Sequence, residues 1–461
     1  MSDSVKSVVI LGLARQGVAL ARHFSERGLR VTVSDSRSTS ALEEALATLA
    51  DLDVRYVLGH HPFALLDDCD LLCLSGGVSP DMPLVREAVR RGIRLSNDAQ
   101  EFLVRCPAPV VGITGSAGKT TTTTLVGAML ERSEFRTWVG GNIGNPLIPE
   151  LGTIQPEDRV VMELSSFQLE LMTASPRVAG VLNITPNHLD RHKTMDAYVA
   201  AKRNIVANQR PSDIAILGYD EPNARALRLE TSAEVRFFSA EVEVPRGAFL
   251  RGSRLMLRRD SEDVEVVARH EVPLRGTHNV ANVLAAMALA DAAGGTVAGM
   301  RDAICSFEGV THRLEEIRVL RDVLWVNDSI ATAPERVLAA LSAFDERIVL
   351  LAGGRDKDLP WQLFAERVVE RVRVLILFGE AADMIEAQVA SALERARAEA
   401  RRVSLEAMVK VSALEAAVAL AAEHARPGEV VLLSPGGTSF DAYDDFAQRG
   451  DRFRHWVTQL E

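Results

Sequence analysis

The chain has 461 residues, with 52 Lys and Arg against 63 Asp and Glu, so its formal net charge is −11. Hydrophobic residues make up 47% and charged residues 25%, which is typical of a globular protein and argues against a disordered or fibrous chain. At about 150 residues per domain, this length predicts three domains. The acidic balance argues against a broad nucleic-acid-binding surface, but not against a local pocket for one phosphorylated small molecule.

The sequence carries no recognisable signal for secretion or membrane insertion. The N-terminal segment MSDSVKSVVILG has too short an apolar part for a signal peptide. No apolar stretch approaches the ~20 residues needed to cross a bilayer. Four cysteines are too few for a disulfide scaffold, so we expect reduced, structural thiols. We therefore expect a cytoplasmic protein that neither inserts into a membrane nor binds nucleic acid.

The N-terminal segment is typical of a β-α-β unit, with the strand VKSVVIL, the turn GLARQG, the helix VALARHFSERG and the strand LRVTVSD. The turn reads Gly12-x-Ala14-x-x-Gly17, which departs from the dinucleotide fingerprint because its middle glycine is missing. The pattern is compatible both with nucleotide contact and with a merely structural turn. Asp35, at the end of the second strand, could accept hydrogen bonds from a ribose or a base. The segment CPAPV predicts a domain boundary near Pro107.

The central segment contains a pattern typical of a phosphate-binding loop. The strand PVVGIT leads through GSAGKTT into a helix, so backbone amides from Gly115 to Lys119 can wrap phosphate oxygens. Lys119 can reach the β- and γ-phosphates, and the hydroxyl of Thr120 is a natural ligand for Mg²⁺. The strict Walker form has glycine at the position of Ile113, so this is a shorter variant of the loop.

Chemically active side chains follow the next strands. Glu163 ends the strand VVMEL, where a carboxylate of the Walker B type would meet Mg²⁺, and His188 and Asp190 follow the strand VAGVLNI. A histidine in a polar loop is commonly a capping or solvated residue. Lys202, in the helix MDAYVAAKRNIVAN, would by default extend to solvent. The alternating region after Pro211 predicts a small antiparallel sheet.

The last third of the chain predicts another doubly wound sheet. From about Val310, the strands LWVND, RIVLLAGG, RVLILFG and EVVLLSPGG alternate with alanine-rich helices, and glycine pairs follow several strands. The charge-rich helix ALERARAEARRV is expected to present a solvated face.

Taken together and in this order, the motifs resemble the Mur ligases. They are TGSAGKTT, GGNIGNP, ELSSFQLE, NITPNHLDRH, AYVAAKRNI, GTHNVANVLAA, HRLE, NDSIAT and SPGGTSFDAYDDFAQRGDRF. The resemblance spans nearly the whole chain and implies an α/β fold of three domains. These are a Rossmann-like N-terminal domain for a uridine nucleotide sugar (residues 1–106), a P-loop ATPase-type central domain (107–309) and a Rossmann-like C-terminal domain that docks the amino acid (310–461).

The resemblance also implies ATP-driven amide bond formation in peptidoglycan precursor synthesis. A carboxylate of UDP-N-acetylmuramoyl-L-alanine attacks the γ-phosphate of ATP, and the amine of D-glutamate then attacks the resulting acyl phosphate. ATP is expected to bind with Mg²⁺ at two sites, and the protein is expected to be a monomer. No dinucleotide is required by this chemistry, which agrees with the missing glycine of the first turn.

Site residues follow from the resemblance, position by position. Catalytic roles are implied for Lys119, His188 and Lys202, and Lys202 matches a lysine that is carbamylated in the family. The implied metal ligands are Thr120, Glu163, His188 and Lys202. The implied ATP-binding positions are Gly115, Ser116, Ala117, Gly118, Lys119, Thr120, Thr121, Asn279, Arg313 and Asp328. The implied substrate positions are Leu13, Ala14, Asp35, Ser36 and Arg37 for the uridine nucleotide, Asn142 beside the substrate and the phosphates, and Thr332, Lys357, Ser439 and Phe446 for glutamate.

Two departures from the family pattern bear on the substrates. The usual phosphate loop reads G-T-N-G-K-S-T, so Ala117 lacks a side-chain amide here. The usual D-S-K-A-T-N reads D-S-I-A-T-A, so Ile330 removes a cation near the amino acid and the nucleotide sugar. An L-glutamate-adding ligase of the same family therefore stays open beside the D-glutamate reaction.

Two different functions fit the sequence less well. A folylpolyglutamate-synthase-like ligase would lack the uridine-type N-terminal domain. A non-catalytic nucleotide-binding sensor would be expected to have lost several of the reactive residues that this chain retains, namely Lys119, Glu163, His188, Lys202 and Asp328.

Overall fold

The computed structural model describes residues 5–144, 146–260, 262–357 and 359–461, and the side chain of Asp190 lies outside the described part. These residues form three sheets and divide into two compact units. The first unit holds the described residues up to Pro273 together with His278–Ser306, and the second holds Leu274–Thr277 and Phe307–Glu461. The α/β architecture with three sheet-containing regions confirms the predicted fold class. Within the described residues, no helix has the length and apolar character needed to cross a membrane.

The first sheet is parallel. Its strands are β1 (Ser7–Leu11), β2 (Arg30–Asp35), β3 (Val54–Leu58), β4 (Leu71–Leu74) and β5 (Arg94–Ser96), and its helices are α1 (Arg15–Glu26), α2 (Glu43–Ala47), α3 (Pro83–Arg90) and α4 (Asp98–Leu103). The strand order is β3-β2-β1-β4-β5. β1 is buried along its whole length, as expected for a parallel strand that is covered on both faces. The order reverses beside β1, and such a reversal creates a crevice at the carboxyl ends of the strands.

The second sheet belongs to the same unit. Its strands are β6 (Val110–Thr114), β7 (Thr137–Gly141), β8 (Arg159–Glu163), β9 (Val178–Val181), β10 (Ile214–Gly218), β11 (Glu234–Ser239), β12 (Gly247–Arg251), β13 (Arg254–Arg259) and β14 (Glu262–Ala268). The accompanying helices are α5 (Lys119–Glu131), α6 (Ser166–Leu169), α7 (Leu189–His192), α8 (Met195–Ala207), α9 (Pro222–Ala226), α10 (Thr277–Ala292) and α11 (Val297–Cys305). The strand order is β14-β13-β12-β11-β10-β9-β6-β8-β7.

The expectation of a small antiparallel sheet after Pro211 was wrong in part. β10 pairs in parallel with β9 and with β11, and β11 pairs in parallel with β12, so these strands extend the second sheet. Only β12, β13 and β14 pair antiparallel in this region. The helix α9 lies between β10 and β11 in the chain, and a crossover of this kind returns the chain in the same direction.

The third sheet lies in the second unit. Its strands are β15 (Glu315–Leu320), β16 (Val323–Asn327), β17 (Ile348–Gly353), β18 (Val372–Phe378), β19 (Ala407–Lys410) and β20 (Val430–Gly436), and its helices are α12 (Pro334–Leu341), α13 (Gln362–Arg371), α14 (Ala382–Ala398), α15 (Leu414–His424) and α16 (Phe446–Gln459). The strand order is β15-β16-β20-β17-β18-β19, and only the β15–β16 pair is antiparallel. The sequence patterns predicted the central strands but not the edge strands β15 and β19.

The cysteines form no disulfide within the described residues, as predicted. Cys73 is buried in β4, and burial raises the pKa of its thiol. Burial also raises the pKa of Cys69 to about 11. Thiols that stay protonated are poor nucleophiles, which agrees with a structural role.

Candidate functional site

The phosphate loop connects β6 to α5 and requires glycine at one position. Gly118 precedes α5 in the left-handed backbone region, with φ of 84°. A Cβ atom added there would lie 2.2 Å from the side-chain oxygen of Asn282 in α10. The backbone conformation and the close approach of α10 both select glycine.

A neighbouring loop fixes the start of the phosphate loop. The amide of Ser116 donates to the carbonyl oxygen of Asn183 at 2.9 Å, and the amide of Ala117 donates to Asn183 Oδ1 at 2.9 Å. Asn183 Nδ2 donates in return to the carbonyl oxygen of Ala117 at 3.1 Å. We expected the amides from Gly115 to Lys119 to surround phosphate oxygens. Two of them, those of Ser116 and Ala117, already donate to Asn183, so fewer amides of this stretch are available to a phosphate.

Two lysines meet beneath the phosphate loop. Lys119 Nζ donates to the carbonyl oxygen of Gly115 at 2.8 Å, and Lys202 Nζ donates to the same oxygen at 3.0 Å and to Thr114 Oγ1 at 3.1 Å. Lys202 is only 1% exposed, so the default expectation of a solvent-extended lysine was wrong. Burial first, and the charge of Lys119 second, lower the pKa of Lys202 well below its usual value, although Glu163 opposes the shift.

The carboxylate of Glu163 lies beside the start of α5. Its Oε2 accepts a hydrogen bond from Thr120 Oγ1 at 2.9 Å, and its Oε1 accepts one from Asn142 Nδ2 at 2.7 Å. The amide of Asn142 also donates to the carbonyl oxygen of Glu163 at 2.9 Å. The structure thus brings together three predicted site residues, Thr120, Asn142 and Glu163. Their side chains offer hydroxyl, amide and carboxylate oxygens, which are the ligands that Mg²⁺ prefers.

His188 adopts a left-handed backbone, with φ of 53°, at the start of α7. Such conformations are uncommon for residues other than glycine and concentrate at functional sites. Its exposed ring packs edge-on against Phe167, with 5.1 Å between centroids. Phe167 stacks in turn on His192, whose Nε2 lies 3.0 Å from Ser166 Oγ. This network attaches the His188 loop to the short helix α6 that follows Glu163.

No group of three or more His, Cys, Asp and Glu side chains that could hold a metal ion occurs among the residues that the structure describes. The predicted set contains only two side chains of these types, Glu163 and His188. A divalent cation bound there would therefore depend on further oxygen ligands, such as phosphate groups and water.

Two residues that sequence reasoning missed support the phosphate loop. Asn183 holds its backbone through the hydrogen bonds to Ala117, and Asn282 contacts Gly118 from α10. Asn282 Nδ2 donates to Oδ1 of the predicted residue Asn279 at 3.0 Å, and both side chains are buried. The spacing of these asparagines, three residues apart on one helix face, was the signal that could have identified the second one.

The predicted uridine-binding residues lie at the carboxyl edge of the first sheet. Asp35 Oδ2 accepts from the amide of Leu13 at 2.7 Å and from Arg37 Nη2 at 2.8 Å. Burial alone would raise the pKa of Asp35, but the hydrogen bonds from Arg37 and Leu13 outweigh it and hold the pKa at about 2. The Asp35 carboxylate thus holds the backbone of Leu13 and the side chain of Arg37 in place. The next predicted residues are Ala14, at the start of α1, and Ser36, which is exposed.

In the second unit, Asp328 follows β16 and is buried. Its Oδ2 accepts a hydrogen bond from Ser434 Oγ at 2.8 Å, and its Oδ1 accepts one from the amide of Leu314 at 3.3 Å. Burial raises the pKa of Asp328 to about 6, although the positive charge of Arg313 opposes the shift. The predicted residues Arg313 and Asp328 therefore lie within electrostatic range of each other.

The four predicted glutamate-binding residues lie on loops of the second unit. Lys357 Nζ donates to Thr332 Oγ1 at 3.4 Å. The loops that carry Lys357 and Ser439 are joined by reciprocal backbone hydrogen bonds between Arg355 and Thr438, at 2.8 and 3.0 Å. The remaining residue, Phe446, begins α16.

Three family models match successive parts of the chain. They are described as the Mur ligase MurD-like N-terminal domain, the Mur ligase middle domain and the Mur ligase glutamate ligase domain, and they match residues 6–97, 113–290 and 312–437.

Curated relatives match the chain over nearly its full length. A protein of Symbiobacterium thermophilum named UDP-N-acetylmuramoylalanine--D-glutamate ligase is 43% identical over 455 residues, which cover 98% of this chain and 97% of the relative. A protein of Acetivibrio thermocellus with the same name is 36% identical over 457 residues, covering 99% and 97%. Among solved structures, the UDP-N-acetylmuramate-alanine ligase MurC of Thermotoga maritima shares the fold, with a TM-score of 0.60 and 19% identity over 99% of this chain and 100% of that one.

Proposed function

This chain belongs to the Mur ligase family, and on that premise we propose that it is an ATP-dependent ligase that joins D-glutamate to UDP-N-acetylmuramoyl-L-alanine in peptidoglycan precursor synthesis. One observation carries the reaction type: Lys119 and the buried Lys202 converge on the phosphate loop, beside the Thr120–Glu163 contact. The choice of substrates is supported by relatives that bear this ligase name over nearly the whole chain.

The proposed reaction has two steps. An oxygen of the alanyl carboxylate attacks the γ-phosphorus of ATP, the bond to the β-phosphate oxygen breaks, and ADP leaves with an acyl phosphate on the nucleotide sugar. The neutral amine of glutamate then attacks the acyl carbon, inorganic phosphate leaves, and the amine loses its proton as the amide forms. Lys119 stabilises charge on the transferring phosphoryl group, while Gly118 and the start of α5 direct backbone amides towards it.

We propose that Mg²⁺ is held by Thr120 and Glu163, with His188 and Lys202 at the same or a second site. The ion would neutralise charge on the phosphate oxygens. Asn142, which donates to Glu163, would orient the carboxylate that receives the ion.

Carbamylation of Lys202 is a further part of the proposal. The lowered pKa supports it, because only a neutral amine attacks carbon dioxide, forming a C–N bond and releasing a proton. The product is an anion beside Lys119, whereas a protonated Lys202 would be a buried cation facing a second lysine. An anionic group there suits a cation-binding site.

The remaining predicted residues supply the binding roles that we propose. Nucleotide contacts are assigned to Gly115, Ser116, Ala117, Gly118, Thr121, Asn279, Arg313 and Asp328. Uridine contacts are assigned to Leu13, Ala14, Asp35, Ser36 and Arg37, and glutamate contacts to Thr332, Lys357, Ser439 and Phe446. We propose domain boundaries at 106/107 and 309/310. We also propose that the reaction is carried out by a monomer in the cytoplasm, where ATP is available.

The L-glutamate alternative rests on one observation, the apolar Ile330 where the family pattern has a lysine. The folylpolyglutamate-synthase-like alternative is disfavoured by the match of residues 6–97 to the MurD-like N-terminal domain.

An amino-acid panel tests the proposal. The purified protein is incubated with Mg-ATP and UDP-N-acetylmuramoyl-L-alanine, with D-glutamate, L-glutamate or neither, and both phosphate release and the mass of the nucleotide product are measured. We expect phosphate release only with all substrates present, D-glutamate preferred, and a product heavier by one glutamyl residue. Turnover with L-glutamate alone would select the alternative ligase, and no turnover with either enantiomer would refute both.

A further inference from the structure

A buried arginine anchors the segment that follows β16. Arg449, in α16, donates from Nε to Ser329 Oγ at 3.0 Å, from Nη2 to the carbonyl oxygen of Ser329 at 2.9 Å, and from Nη1 to the carbonyl oxygen of Gly437 at 3.2 Å. Burial lowers the pKa of Arg449 only to about 10, so it stays positively charged at neutral pH. All three acceptors are neutral oxygens, and the charge of Asp441 acts on the guanidinium only through space, where it opposes the shift.

Two further cations contact the same short segment. Arg336, in α12, donates from Nη1 to the carbonyl oxygen of Ile330 at 3.3 Å, and Lys357 Nζ donates to Thr332 Oγ1 at 3.4 Å. Burial first, and then the charges of Arg336 and Arg449, lower the pKa of Lys357. Three cations therefore contact residues 329–332, and both arginines are close enough to Lys357 to lower its pKa.

The Arg336 guanidinium is exposed and, among the described residues, forms no direct ion pair, although its charge acts at longer range on Asp328. Cations that repel one another are stabilised when an anion binds among them. A planar guanidinium also offers two parallel N–H donors, which match the two oxygens of a carboxylate. The arrangement thus fits an anionic ligand that carries a carboxylate.

We propose that Arg336 is a specificity-determining residue that binds a carboxylate of the incoming amino acid beside Lys357. The inference rests on the proposed function and deepens it. Ile330 stands where the family pattern has a lysine, so the family's cation is missing at that position. The guanidinium of Arg336 would supply a positive charge in the same region, because it donates to the carbonyl oxygen of Ile330.

Steady-state kinetics of three variants test the proposal. Arg336→Gln removes the charge, Arg336→Lys keeps it, and Arg347→Gln is the control, because Arg347 is an exposed arginine of the same unit that pairs with Glu406 instead. We expect Arg336→Gln to raise the KM for glutamate about tenfold or more, with kcat within twofold and the KM for ATP unchanged. Arg336→Lys should keep the KM within about threefold, and Arg347→Gln should match the wild type.

Three outcomes would overturn the proposal: an unchanged KM in Arg336→Gln, an equal rise in Arg336→Lys, or an equal rise in Arg347→Gln. Thermal melting of each variant separates a binding effect from a folding defect. The wild type serves as the separate test of the proposed function, because an inactive wild type refutes that function. An active wild type with an unaffected Arg336→Gln variant refutes only the role of Arg336.

Discussion

Lys119 and Lys202 donate to one shared acceptor, the carbonyl oxygen of Gly115, at 2.8 and 3.0 Å. Two ammonium groups around one oxygen repel each other, and Lys202 is the one that burial separates from water. The arrangement therefore favours the neutral amine of Lys202, and the ring of Tyr198, 4.9 Å from its Nζ, helps to enclose it.

Replacing Lys202 with alanine should lower kcat by at least about 100-fold, because the site loses the anion that the proposed carbamate provides. Phosphate release measures the effect, and bicarbonate added to CO₂-depleted buffer should stimulate the wild type but not the variant. Arg203→Ala is the control, since Arg203 is the next residue on α8 but is exposed. Full activity of Lys202→Ala would disprove the carbamate.

Glu163→Gln should raise the Mg²⁺ concentration needed for half-maximal activity about tenfold or more, because an amide replaces the carboxylate between Thr120 and Asn142. A Mg²⁺ titration of phosphate release measures the change. Glu157→Gln is the matched control, since Glu157 is exposed just before β8. If both variants need the same Mg²⁺ concentration, Glu163 does not contribute to Mg²⁺ binding.

Asn183→Ala should raise the KM for ATP about tenfold, because the phosphate loop loses two side-chain hydrogen bonds to Ala117. The loss should also reduce the free energy of unfolding by about 1–2 kcal/mol. Initial rates over a range of ATP concentrations and chemical denaturation measure the two effects. The control Asn208→Ala, at an exposed position, should change neither the KM for ATP nor the free energy of unfolding. An unchanged KM for ATP in Asn183→Ala would show that these hydrogen bonds do not position the phosphate loop for ATP.

Asp98→Asn should change how stability depends on pH. Burial raises the pKa of Asp98 from 3.8 to about 6, although hydrogen bonds, the largest of them from Gln168, oppose the shift. The folded state therefore holds this proton more tightly than the unfolded state. The stabilisation that the proton provides is complete below about pH 4 and is lost as the pH rises to about 6.

The variant should therefore gain stability over the wild type between about pH 4 and 6, and the gain should level off above that range at up to about 3 kcal/mol. Denaturant titrations at pH 4.5, 6 and 7.5 measure this difference. Asp53→Asn, at an exposed position, serves as the control. A difference between Asp98→Asn and the wild type that does not vary with pH would contradict the raised pKa.

The sequence predicted the parts of the site that short motifs encode. The phosphate loop and Thr120 follow a buried strand and Glu163 ends one, and parallel strands bring their carboxyl ends to one edge of a sheet. Lys202 could not be placed in the same way, because nothing in its own helix indicates which face is buried. Its burial depends on the packing of α8 against the phosphate loop.

Contacts between distant segments were also beyond the sequence motifs. Asn183 and Ala117 are separated by 66 residues, and no local pattern indicates that their amide groups meet. The parallel pairing of β10, β11 and β12 was missed for a related reason, since alternating polarity does not reveal the direction of a neighbouring strand.

The contact between Ser329 and Arg449 spans 120 residues of sequence. A ribosome that has just completed β16 must therefore translate α12–α15 and the beginning of α16 before the Ser329 segment receives its guanidinium anchor. The phosphate loop, Asn183, Lys202 and Asn282 have all been translated by then. During synthesis, the nascent chain can thus complete the contacts around its phosphate loop while the segment that we assign to the amino acid is still unanchored.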